Sequence, residues 1–132
     1  MQMSNKVKVV PCSGIGKVFG LVAREAVLKA VLELCPEKSE TVCLAYLVTG
    51  DEEVKEMMSG SVCITVDGCP KMCASKNVSL SGGIVVDEVK VLDTVKDYKG
   101  KKFGSATELS DDGYLVADEI AAKIEQRIHE IL

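Results

Sequence analysis

The chain has 132 residues, 47% hydrophobic and 27% charged, which is the composition of a folded domain and excludes a disordered one. Net charge is −4, with 16 Lys and Arg scattered and no basic run, so nucleic-acid binding is not expected. No apolar stretch is long enough to span a membrane and the opening Met-Gln-Met-Ser-Asn-Lys reads as no signal peptide, so a cytoplasmic protein without a membrane partner is expected.

Two Phe, three Tyr and no Trp leave an aliphatic core of Val, Ile, Leu and Ala. A chain of this length buries roughly two-thirds of its unfolded surface, so it needs neither disulfide nor metal merely to fold. The first predicted element is a β-rich run, Lys6 to Pro11, ending at Cys12-Ser13-Gly14. A helix follows from about Gly16 to Leu34, with Val18, Leu21, Val22, Ala26, Leu28 and Leu32 at helical spacing and Pro36 as its stop. Thr41 to Val48 is continuously apolar and reads as a buried strand. If that strand is short, it ends near Cys43. Asp51 to Met58, with acids in its first turn, reads as a helix, and Ser61 to Asp67 as a third strand. Pro70 at a first helical position starts a helix to about Leu80, which Gly82-Gly83 ends. Ile84 to Leu92 reads as a fourth strand with a bend at Asp87-Glu88, and Asp93 to Ser110 as a polar excursion. Gly113 to Leu132 closes the chain as an amphipathic helix buried along Ala117, Ile120, Ala121, Ile124, Ile128 and Ile131.

Strands alternating with helices imply parallel pairing. The expected fold is one α/β domain over 1–132. It has three layers, a mostly parallel four-stranded sheet and helices on both faces, in the Rossmann-like or flavodoxin-like manner. Ligands of such sheets bind beyond the carboxyl ends of the strands, where the strand order reverses. With order 2-1-3-4, Cys12 after strand one and Cys69 after strand three come to neighbouring strand ends. Cys73 is one helical turn beyond Cys69 on the same helix face. Cys43 joins them if strand two is short.

Four thiolates suit zinc, which takes four cysteine sulfurs tetrahedrally at about 2.3 Å. Lys17, Lys71 and the helix N-termini after Cys12 and Cys69 would offset the charge of such a centre, and Gly14, Gly16 and Gly68 would let backbone amides approach it. The spacing is not that of a zinc ribbon, and the same thiols would suit an iron–sulfur cluster. Cys35 and Cys63 read as small buried hydrophobes. His129, the only histidine, is expected to meet the helix dipole near the end of the last helix.

Three stretches carry a family resemblance: "PCSGIG" (11–16), "CLA" (43–45) and "DGCPKMCA" (67–74). They resemble the DGC-domain family, named for its central Asp-Gly-Cys. The resemblance implies a zinc-binding domain whose chelating cysteines are Cys12, Cys43, Cys69 and Cys73, with no reaction attached. The competing reading is thiol redox or sulfur-transfer chemistry by Cys12 and Cys69 or Cys73, because a cysteine entering a helix N-terminus has a lowered pKa. The turn "CSGIGKV" lacks the arginine of a cysteine phosphatase loop and the Ser or Thr of a nucleotide-binding loop.

Overall fold

Three short runs rich in Val and Ile pair with one polar run, Ser39–Thr41, into one sheet, and the turns between them release the chain to helices. The computed structural model describes residues 6–12, 18–42, 52–68, 73–98, 100–105 and 108–131. In chain order the elements are strand β1 (Val7–Pro11), helix α1 (Val18–Lys29) running on into a π-helical turn (Ala30–Leu34), β2 (Ser39–Thr41) and α2 (Glu52–Met58). Then follow β3 (Val62–Asp67), α3 (Cys73–Leu80), β4 (Ile84–Lys90), the short helix α4 (Val91–Val95), a 3-10 turn (Lys96–Tyr98) and α5 (Asp111–Ile131).

The strand order is β2-β1-β3-β4 and every pairing is parallel, as expected. Side chains alternate between faces along a strand. Asp87 and Glu88 are consecutive on β4, and they bind Arg127 of α5 and Ser75 of α3. These two helices therefore lie on opposite faces of the sheet. Val9, Ile64 and Val66 are fully buried, in a core completed by Val22, Ala26, Ala30, Ile120 and Ile124. Ser110 caps α5, its Oγ accepting the Gly113 N–H at 3.2 Å, and Asp111 and Asp112 place negative charge at the positive end of the helix.

Several boundaries differ from those predicted. The apolar run 41–48 was expected as strand two, but β2 is Ser39–Thr41 and Val42 has already left it. An apolar run by itself does not separate strand from other buried backbone. The strand is thus short, the condition under which Cys43 can join the other cysteines, although Cys43 lies outside the described residues. The fourth strand ends at Lys90, because Val91 and Leu92 open α4. Its irregularity falls at Val86 rather than Asp87-Glu88, since Val85 pairs with Cys63 and Asp87 with Ile64, leaving Val86 unmatched. Leu32, assigned to the buried stripe of the first helix, is 65% exposed. The buried face is Val22, Ala23, Ala26, Val27, Ala30 and Val31, whose smaller side chains let α1 pack closely on the sheet and on α5. Ile131 is only partly buried at the end of the expected stripe. The excursion after Asp93 is anchored rather than loose. Phe103 is buried, its ring centroid 6.0 Å from that of Phe19 and 6.4 Å from that of Tyr98.

Candidate metal centre

At the carboxyl edge, β1 and β3 run side by side and deliver Cys12 and Gly68. The Cys12 N–H donates to the Val66 carbonyl at 2.9 Å, which extends the strand pairing by one step. Its side chain is buried, and its Sγ accepts the backbone N–H of Gly68 at 3.2 Å. Gly68 must be glycine, because a Cβ there would lie 2.6 Å from the Phe19 carbonyl oxygen and 2.9 Å from the Gly20 nitrogen. The first turn of α1 therefore packs directly on the end of β3.

Asp67, just before, is 1% exposed. Its carboxylate accepts the Ala74 N–H at 2.9 Å and the Ser75 N–H at 3.4 Å, so it caps α3 from the strand and fixes Cys73, the first residue of that helix. Burial pushes the Asp67 carboxyl up, and these two hydrogen bonds pull the other way without cancelling the rise. Cys73 is half-buried, and its carbonyl accepts the Asn77 side-chain N–H at 2.8 Å. Two successive residues, Asp67 and Gly68, thus hold Cys73 and Cys12 to the end of one strand. Cys43, Cys69, Lys17 and Lys71 lie outside the described residues.

Cys63 is buried midway in the sheet among Val78 and Gly83, as expected of a packing thiol. Burial pushes it up to about 11, against a weaker downward pull from Lys8, so it is neutral at ordinary pH. Lys8 is 2% exposed and ion-paired with Glu40 on the neighbouring strand.

Cys35 is buried as expected, but it has company that its sequence position does not reveal. It follows the π-helical turn, and its carbonyl accepts from the Lys38 N–H, the Ser39 N–H and the Ser39 hydroxyl. Its Sγ lies 4.0 Å from Nε2 of His129. Glu125 stands one turn before His129 on the same face of α5. Cys35, Glu125 and His129 each place one donor atom within 4.8 Å of the others, a group that could hold a metal ion. His129 therefore faces a thiol and Lys38, whose Nζ is 3.2 Å from its Nδ1, rather than only the helix end. The visible signal was the Glu-x-x-x-His spacing at 125–129; nothing in the sequence paired it with Cys35.

A cleft of about 330 Å³ between β4 and α5 is lined by Asp87, Lys90, Asp93, Lys123, Arg127 and Glu130. Arg127 there is engaged with Asp87 and Glu130 and Lys123 with Thr94, and among the described residues no cysteine lines it. No helix among the described residues is long and apolar enough to cross a membrane.

No curated protein and no solved structure matches the chain. A family model, that of the DGC domain, matches residues 8–126. That span begins in β1, takes in the Asp-Gly-Cys stretch at 67–69 and runs well into α5, and the chain belongs to the DGC domain family.

Proposed function

We propose that the chain is a zinc protein whose metal is held by Cys12, Cys43, Cys69 and Cys73 at the carboxyl edge of the sheet. The observation that carries this reading is the Gly68 N–H donating to the buried Cys12 sulfur at 3.2 Å, support of the kind that a metal-bound thiolate takes from backbone amides. The capping of α3 by Asp67, which holds Cys73 at the same strand end, supports it further. Four thiolates leave zinc no position for water, so the metal is structural or regulatory rather than hydrolytic. Burial of Cys12 also speaks against the competing reading, in which that thiol attacks a disulfide or accepts sulfur. The cytoplasm, which keeps six cysteines reduced, is the compartment that fits.

The test is elemental analysis of freshly purified chain with a thiol count. About one zinc surviving gel filtration, with four thiols protected until a chelator is added, is the expected result. Cys69→Ser or Cys73→Ser should lose that zinc and Cys63→Ser should keep it. Iron in place of zinc, with a brown colour, would replace the metal but keep the ligands. No retained metal and six freely titrating thiols would overturn the proposal.

A further inference from the structure

We propose a second metal site, independent of the carboxyl-edge cysteines, in which Cys35, Glu125 and His129 bind a divalent ion of the zinc class and leave a coordination position open. Cys35 precedes β2 and Cys12 follows β1, so the two places lie at opposite edges of the sheet. The five residues of β1 alone set them roughly 16 Å apart.

The donor set selects the metal. One thiolate, one imidazole and one carboxylate suit a borderline ion such as zinc, not magnesium or calcium. Their charges sum to zero with a divalent ion, which suits a half-buried place. A tetrahedral zinc at 2.3 Å from sulfur and about 2.1 Å from nitrogen separates the two donors by roughly 3.6 Å. Cys35 Sγ and His129 Nε2 stand at 4.0 Å, so closing on an ion takes a side-chain adjustment and no backbone movement.

Two further features belong to a built site. Residues 30–34 form a π-helical turn, and the Cys35 N–H bonds to the Ala30 carbonyl at 2.7 Å, five residues back. Such turns re-aim the chain and recur at functional sites. The Cys35 carbonyl is pinned by three donors from residues 38 and 39, so the thiol is presented from rigid backbone. Burial graded from buried Cys35 through half-buried Glu125 to exposed His129 gives an ion a way in and leaves the solvent side for water.

Without metal, Lys38 holds the place. Its Nζ lies 3.2 Å from His129 Nδ1, the ring nitrogen that would not bind the ion. An ion on Nε2 leaves Nδ1 to carry the ring proton, so on binding the exposed Lys38 ammonium must move away, and the Cys35 thiol proton leaves to solvent. Lys38 is thus a competitor for the ion, not a ligand.

The test is cobalt(II) titration of the whole chain carrying Cys69→Ser and Cys73→Ser. One ion should bind with a thiolate-to-cobalt absorption band. Adding Cys35→Ser should abolish the band, and adding His129→Ala should weaken binding at least about 100-fold, since losing even a supporting residue of a metal site costs 10–100-fold. Lys38→Ala should tighten binding. If the double variant does not fold, the otherwise unaltered chain answers the question in excess zinc. It should then hold one ion more than Cys35→Ser does, while Cys73→Ser reports separately on the carboxyl-edge centre. A thiolate band that survives Cys35→Ser, or equal ion counts with and without that substitution, would overturn the inference.

Discussion

Gly68→Ala tests the geometry on which the carboxyl edge depends. The backbone of Gly68 needs no left-handed conformation, so the substitution acts by volume alone. The new methyl would sit 2.6 Å from the Phe19 oxygen and 2.7 Å from the Phe19 carbonyl carbon. Real Cβ atoms essentially never come within 3.0 Å, so α1 and the end of β3 must part by about 0.4 Å at the least. The obstacle is backbone in the first turn of a helix packed on β1, β3 and α5, and it has no rotamer to change. Overpacking of this kind costs about 1–3 kcal/mol, and the rigid obstacle puts this case at the upper end. Parting the two segments also lengthens the bond from the Gly68 N–H to Cys12, which is worth about 1 kcal/mol. The sum is about 4 kcal/mol, or a melting temperature lowered by roughly 12 °C for a domain of this size. Urea unfolding and thermal melts measure it. Gly60→Ala is the control. A Cβ there meets nothing within 4 Å, and its only cost is a φ of 75°, so about 1 kcal/mol is expected. A Gly68→Ala chain that melts within about 2 °C of the parent would refute the argument.

The other predictions concern buried charge. Asp67→Ala leaves the Ala74 N–H without its acceptor and should cost about 2 kcal/mol, with Asp67→Asn losing less because an amide oxygen can still accept. Burial raises the Asp67 carboxyl above its ordinary value of 3.8, so the folded state holds that proton more tightly than the unfolded chain. Stability from this group is complete below the ordinary value and is lost as pH rises through the carboxylate range, and Asp67→Asn should remove that part of the pH dependence; identical slopes in urea titrations would contradict it. Cys63 is neutral up to about 11 against 9.0 in the unfolded chain, so the fold should lose up to about 2 kcal/mol as pH rises between those values, and Cys63→Val should lose less over the same interval. At the Lys8–Glu40 pair the two deletions should be unequal. Glu40→Ala strands a buried ammonium and should cost about 3 kcal/mol, whereas Lys8→Met replaces it with apolar volume beside a carboxylate that is 36% exposed and should cost about 1 kcal/mol or less. Equal costs in denaturant unfolding would mean that the Lys8 ammonium reaches water.

The parallel sheet and its strand order were legible because strands and helices alternate and each apolar run is short. The placement of Cys12 at a strand end was legible for the same reason. The length of β2 was not, since "TVCLAYLV" is apolar throughout while only Ser39–Thr41 pair with β1. Nor was the buried face of α1, because Leu28 and Leu32 look like better core residues than Ala23 and Ala30. Tertiary packing chose the smaller residues, where two helices and a sheet come close. The grouping at Cys35 depends on that same packing, because α1 and α5 bring together residues about ninety positions apart. A helix stripe tells which face is buried but not which neighbour it meets, so Glu125 and His129 could be read as a pair and Cys35 could not be joined to them.

Helix α1 touches both edges of the sheet. Its first turn meets Gly68 through the Phe19 carbonyl, and its π-helical end delivers Cys35. The distance along the helix is roughly 20 Å or more. If the fold transmits nothing over that length, Gly68→Ala and His129→Ala should add in unfolding free energy within about 0.5 kcal/mol, as separated sites do. A helix is stiff along its axis, however, and α1 is gripped on both flanks, so a displacement at Phe19 has few ways to dissipate before Cys35. The double variant decides between these. Additive costs would make the two edges energetically separate. A coupling well above about 0.5 kcal/mol would make α1 the rod that joins them, and the occupancy of each place would then report on the other.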